Sequence, residues 1–180
     1  MAQAQYAGFP VRWQGLTNAG RPARGRDGLL AVVEQLAGAP LPLSQLERQI
    51  LPQRVRDYEP RLLDELTASG EVIWWALDPL PSDAWICLAP ADQGPDLLPV
   101  GSVPDRPVDL ELLTLLREGG GWFSDQLAQR SDGVSSTTEL EEVLWRLVWS
   151  GMGTNDTIAP LRQRVRQARA RPASAVRRRR

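Results

Sequence analysis

Apolar side chains at Leu29, Leu30, Val32, Val33 and Leu36 recur with the three-to-four spacing of one helix face, and predict a first helix capped by Asp27. Ala37-Gly38, with Pro40 and Pro42 beyond, ends it. Ser44 and Glu47 have the spacing of a capping box for a short second helix through Leu51. A third helix opens on Pro60, carries Leu62, Leu63 and Leu66 on one side, and stops at Gly70. Residues 71–77 and 84–89 are rich in β-branched and aromatic side chains and predict two strands, turned back on each other by Pro79, Pro81 and their polar neighbours. Three short helices followed by a hairpin is the winged-helix order; a generic α+β domain with one small hairpin is the alternative.

After a Pro-, Gly- and Asp-rich stretch at 91–106 the pattern returns. An offset of 81 brings Leu29 onto Leu110, Val32 onto Leu113, Gly38 onto Gly119 and Gln45-Leu46 onto Gln126-Leu127. The same offset brings Leu63 onto Leu144, Leu66 onto Leu147 and Ser69-Gly70 onto Ser150-Gly151. One register held from the first helix to the last predicts a mainly α chain with small β-hairpins (α+β), built as tandem winged-helix-like units. The expected divisions are an arm at 1–26, unit one at 27–90, a linker at 91–106, unit two at 107–161 and a basic tail at 162–180. Within the arm, Trp13 and Leu16 are expected to dock on the body. In unit two, Thr138 and Glu141 would form the capping box of a helix with Leu140, Val143, Leu144, Leu147 and Val148 inside. Trp145 and Trp149, spaced i, i+4, share a flank and are expected to pack on the sibling unit, the arm or another subunit, with base stacking as the alternative. No second strand is evident in unit two.

Charge changes this picture more than composition does. The net charge is −1, yet every one of the 21 basic residues is arginine. Nine of them (Arg162, Arg164, Arg166, Arg169, Arg171, Arg177, Arg178, Arg179 and Arg180) follow Pro160, where no acid occurs. Between Gly28 and Ala159 there are 8 arginines against 21 acids, a local balance of −13. An acidic body with a basic end points to partners rather than to a fold. In a winged helix the third helix is the usual groove reader. Here it offers Arg61 against Glu59, Asp64 and Glu65 in unit one, and Arg146 against three glutamates in unit two. Net negative helices weaken phosphate binding, so neither is expected to read the major groove. The basic tail is the expected nucleic-acid element, with Arg54 and Arg56 as the one basic pair in the body. About five tail contacts to duplex phosphates would give a log–log salt slope of roughly −4 to −5.

Enzymatic chemistry finds little support. One cysteine and no histidine exclude a Cys/His zinc site and any histidine base. Without lysine there is no phosphate loop ending in Lys-Ser/Thr. Cys87 sits in an apolar run and is expected to be a buried small hydrophobe. Asp156, in Thr154-Asn155-Asp156-Thr157, is the one carboxylate singled out, with a turn role as its simplest explanation. No cofactor and no metal are expected. No run of about 18 apolar residues and no signal pattern is present, which predicts a cytoplasmic protein with no membrane partner.

Several segments resemble, in order, the C-terminal region of Lhr, the large bacterial helicase-related family. They include Ile50-Leu51-Pro52-Gln53-Arg54-Val55, Tyr58-Glu59-Pro60, Leu63-Asp64-Glu65-Leu66-Thr67-Ala68-Ser69-Gly70 and Leu144-Trp145-Arg146-Leu147-Val148-Trp149-Ser150-Gly151. Asn155-Asp156-Thr157-Ile158-Ala159-Pro160-Leu161-Arg162 belongs to the same set. The resemblance spans residues 9–166. It implies an accessory region of an ATP-dependent 3′-to-5′ DNA translocase acting in DNA repair, whose winged-helix array leads into a barrel similar to alkylpurine DNA glycosylases. The ATPase motifs are absent, and the chain ends in arginines where the barrel would begin. Gln3-Ala4-Gln5 is the one echo of a glycosylase signature, and no catalytic residue carries over. The implied partners are single-stranded DNA or an RNA–DNA hybrid through the basic tail, a helicase core in cis or trans, and a second copy of the chain. The alternatives are a fragment of an alkylpurine/uracil DNA glycosylase-like domain and a pure oligomerisation scaffold.

Overall fold

Helix α1 (Gly25–Gln35) follows a two-residue strand, β1 (Ala23–Arg24), in a computed structural model that describes residues 23–119 and 122–170. Leu29, Val32 and Val33 face inward at i, i+3 and i+4. The helix begins two residues before the expected cap. Arg24 occupies the cap position without a side-chain bond, and Asp27 lies in the first turn, where the helix's positive end favours it. Gly38 takes φ +71°, the left-handed turn a side chain would resist, and its N–H donates to Leu88 O at 2.9 Å. The arm residues Trp13 and Leu16 lie outside the described residues.

β2 (Leu41–Pro42) leads into a second helical stretch, α2, at 43–54. Its middle, Leu46–Ile50, has the wide i→i+5 turn, just before Pro52, which has no N–H to return to the ladder. The expected Ser44–Glu47 capping box does not form. Ser44 gives its N–H and hydroxyl to the Asp83 carboxylate instead, and Glu47 turns to Arg162. β3 (Val55–Arg56) runs parallel to β1, pairing Arg24 with Arg56. α3 (Pro60–Ala68) starts on its proline as expected and buries Leu63, Leu66 and Thr67.

β4 (Val72–Leu80) and β5 (Asp83–Pro90) form the hairpin around Pro81-Ser82, in register from Val72↔Pro90 to Leu80↔Asp83. A shift between Ala76 and Pro79 absorbs a proline that cannot donate to the ladder. β2 pairs with the other edge of β5, giving an antiparallel sheet in the order β2-β5-β4. Helix, strand, two helices and a hairpin therefore close around Leu29, Leu46, Leu63, Leu66, Trp74 and Ile86, all buried.

A short helix, α4 (Gly94–Leu97), precedes an extended passage to α5 (Pro107–Arg117), α6 (Ser124–Arg130) and α7 (Thr137–Trp149). The offset of 81 is visible in the backbone. Gly70 and Gly151 both take φ +73°. Each closes its helix with the same pair of bonds: Glu71 N–H to Leu66 O and Gly70 N–H to Thr67 O, then Met152 N–H to Leu147 O and Gly151 N–H to Val148 O. Val32/Leu113, Leu46/Leu127 and Leu66/Leu147 are buried in both copies. Leu110 departs from its counterpart: it is 39% exposed because α5 turns Leu112 and Leu113 inward. Among the described residues no strand follows α7. The cap of α7 is Ser136, not Thr138; its hydroxyl accepts from Glu139 N–H, and the Glu139 carboxylate reaches back to Ser135. Asp109, almost fully buried, binds Arg146 through both carboxylate oxygens and fastens α5 to α7.

The last element corrects the expected tail. Residues 159–170 are helix α8 (Ala159–Ala170), and Ile158, Leu161 and Val165 enter the core of the first unit. Residues 154–157 stitch it down. Thr154 donates its hydroxyl to Trp74 O at 2.7 Å, Trp74 Nε1 donates to Asn155 O at 2.8 Å, and Ile158 N–H donates to Asp64 at 3.2 Å. Asn155, not Asp156, makes the side-chain turn bond, accepting from Thr157 N–H.

Candidate nucleic-acid interface

Arg162 was expected to lead a free basic tail, and its surroundings overturn that. Its side chain is 10% exposed, with Nε on Glu47 at 2.6 Å, Nη1 on Asp64 at 2.6 Å and Nη2 on Pro60 O at 3.2 Å. One guanidinium thus joins α2, α3 and α8. Burial disfavours its charge, but the hydrogen bonds and fields of Asp64 and Glu47 outweigh that and hold its pKa above the ordinary arginine value. Burial raises the Glu47 carboxyl, partly offset by Arg162, and pushes the neighbouring Tyr58 hydroxyl well up. The Arg162 charge is thus balanced by its own two acids inside the fold and is not displayed to a phosphate.

The remaining basic residues divide by exposure. Arg164 and Arg166 are both exposed on α8, two residues apart and so on opposite flanks of its buried stripe. Arg169 lies against the hairpin turn, donating to Ser82 O at 2.8 Å beside Asp83. Arg171, Arg177, Arg178, Arg179 and Arg180 lie outside the described residues. Arg54 is half-buried at the end of α2, and burial lowers its pKa. Arg56 is exposed and loosely paired with Asp57 at 3.7 Å. Arg24, its exposed β-ladder partner, adds a third basic group there that the sequence reasoning did not single out. On the third helices, Arg61 is paired with Glu59 and Arg146 with Asp109, while Asp64 of α3 is covered by α8.

A second feature escaped sequence reasoning altogether. A groove of about 470 Å³ runs between α7 and α8, with the 153–156 turn at one side and Trp122 at the other. Trp145 lies on its wall, stacked on Trp149 at 5.7 Å between ring centroids, with the Arg164 guanidinium 4.9 Å from its own centroid. Arg130 lies 4.9 Å over Trp122 in the same way. Gln163 and Gln167, one turn apart on α8, contribute amides. Trp145 and Trp149 themselves are half-buried against the first unit's core, packing on the sibling unit as one of the expected roles had it. Their i, i+4 spacing was visible in the sequence; the partner helix facing them was not. Cys87 is buried, its thiol pushed up to about 11 by burial. Among the described residues no cluster of three or more His, Cys, Asp or Glu could hold a metal, and no helix is long and apolar enough to cross a membrane.

Helices in the order α1-α2-α3 against a β2-β5-β4 sheet define a winged-helix protein. The chain belongs to the large helicase-related (Lhr) family: residues 1–91 match the family model described as the winged-helix domain of the large helicase-related protein. It is 40% identical over 178 residues to a protein of Mycolicibacterium smegmatis described as Lhr helicase/probable uracil glycosylase, covering 97% of this chain and 12% of that protein. It is 39% identical over 152 residues to the Lhr helicase/uracil glycosylase of Escherichia coli K12, covering 80% of this chain and 10% of that protein. The chain therefore spans about a tenth of the length of these relatives.

Proposed function

We propose that this chain is a non-catalytic accessory module of an Lhr-type helicase, engaging single-stranded nucleic acid during DNA repair through the exposed arginines of α8 and those that follow it. The observation that carries this reading is the separation of charge. Arg164 and Arg166 are exposed on α8, at the head of a segment without acids, while the third helix of each unit is acidic and its arginine already paired. Cation-rich surface next to acid-rich scaffold orients a polyanion and keeps it off the wrong face. The relatives' names add a uracil glycosylase activity; the role proposed for this chain is to hold the strand, with catalysis elsewhere in the longer protein. A helicase core in the same or a companion chain is the proposed partner, and the cytoplasm its proposed compartment.

The test is fluorescence anisotropy of a labelled single-stranded oligonucleotide titrated with the chain at several salt concentrations. About four or five phosphate contacts should give a log–log slope near −3, at roughly −0.7 per contact for a single strand. No binding at low salt, or a slope near zero, would overturn the reading. An RNA–DNA hybrid run in parallel reveals which strand form is preferred.

A further inference from the structure

We propose that the groove between α7 and α8 receives an unpaired nucleobase, with its phosphate held at Arg164; this deepens the nucleic-acid reading above and rests on it.

The groove has the dimensions of a ligand site, about 470 Å³, and the two units leave it open where their facing surfaces diverge. Its aromatic groups come from both sides. Trp145 is braced by Trp149, and the Arg164 guanidinium carbon lies over its ring, 4.9 Å from the centroid. A guanidinium held over an indole is a planar cation with its N–H groups at the edges. It can stack under a base and bind phosphate with the same side chain. On the opposite side Trp122 forms the wall, with Arg130 held over its ring outside the groove, and the Trp122 indole N–H is buried with no acceptor among the described residues.

The polar lining sets the orientation. Gln163 and Gln167 of α8 present amides that both donate and accept, as the edge of a base requires. Asp156 and Glu141 also line the groove. Their negative charge repels a phosphate from the interior but can accept hydrogen bonds from the amino and imino groups of a neutral base. The sugar–phosphate is thereby directed outward, toward the exposed Arg164 at the groove's rim. A base within a duplex is stacked on both faces and paired along its edge, so only an unpaired one can enter.

The full-length chain is titrated with a labelled octathymidylate and with a hairpin duplex, following anisotropy and the quenching of intrinsic tryptophan fluorescence. Three variants are compared: Arg164→Glu with Gln167→Glu, both exposed positions; Arg164→Lys; and a full-length chain with Arg171, Arg177, Arg178, Arg179 and Arg180 changed to Gln. Circular dichroism confirms that each is folded. The expected result is that the five-arginine variant binds more weakly, with a shallower salt slope, yet keeps saturable quenching and its preference for the single strand. The double variant should lose the quenching and bind the octamer at least about tenfold more weakly. Arg164→Lys, which keeps the charge but not the plane, should lose most of the quenching. If the double variant binds like the wild type while the five-arginine variant does not bind, the groove proposal fails and the nucleic-acid reading survives. If the double variant weakens single strand and duplex equally, Arg164 is only a surface charge and the groove proposal also fails. No binding by the wild type at low salt overturns both.

Discussion

Replacing Arg162 with alanine removes the one cation shared by Glu47 and Asp64, and the consequence can be sized from their surroundings. The three side chains are 10%, 13% and 25% exposed, and both contacts are 2.6 Å. Breaking a buried pair from one side strands the other charge and costs about 3–5 kcal/mol. The partial exposure of Asp64 lets water recover part of that, so about 3 kcal/mol is expected. With a urea dependence near 2 kcal/mol/M, the unfolding midpoint should fall by about 1.5 M. Glu47 supplies a pH signature. Its carboxyl is raised by burial even with Arg162 present, and losing Arg162 raises it further. A raised carboxyl binds more protons folded than unfolded, so the variant loses stability as pH rises through the window between those two values. The penalty should therefore be full at pH 7 and shrink on acidification toward the ordinary carboxylate range, as Glu47 becomes neutral. A double-mutant cycle with Glu47→Met should show coupling of about 1 kcal/mol or more. A midpoint shift under 0.5 M, independent of pH and additive with Glu47→Met, would mean a solvent-screened surface pair and refute the reasoning.

Other substitutions probe the two copies separately. Gly70→Ala should cost about 1 kcal/mol in thermal unfolding from backbone strain alone, since a Cβ there meets nothing within 4 Å. Gly151→Ala should cost about the same, because it has the same φ and its Cβ would meet Gly101 Cα only at ordinary contact distance, 3.4 Å; a loss several times larger would refute strain as the shared cause. The hydrogen bond from Arg146 holds Asp109 below the usual carboxylate range. Its contribution to stability is thus present above the unfolded value and lost as pH falls through the folded one. Asp109→Asn should flatten the acid limb of an unfolding-versus-pH curve, and an unchanged limb would count against the pair. Cys87, buried with its thiol near 11, should react with a disulfide reagent at pH 8 only after denaturant is added; rapid reaction of the native protein would contradict its burial.

Local periodicity carried the helices, the hairpin and the glycine stops, because each depends on residues a few positions apart. What it missed depends on distance along the chain. Ser44 has the spacing of a cap, but Asp83 claims it from 39 residues away. Four hydroxyls in a row at 135–138 each could have capped α7, and only Glu139 reaching back to Ser135 decides among them. Arg162 sits in a run of arginines that reads as a tail, although Ile158, Leu161 and Val165 beside it have the spacing of a buried helix face. Composition masked periodicity at that one place. The groove was out of reach for a related reason: Trp122, Trp145 and Arg164 converge only once α8 has folded back.

The return of α8 to the first unit makes that unit discontinuous, with α5, α6 and all but one flank of α7 looped out between its hairpin and its final helix. During synthesis the winged helix cannot close its core when its hairpin emerges; Leu161 and Val165 are still to come. A second, consequently smaller body must pass out of the ribosome first. Once both are folded, a protease cut in the extended passage between α4 and α5 would sever the chain without separating the pieces, because the fragment holding α7 also holds the strap that finishes its neighbour. Two peptides migrating as one particle until denaturant is added would be the signature of that interleaving.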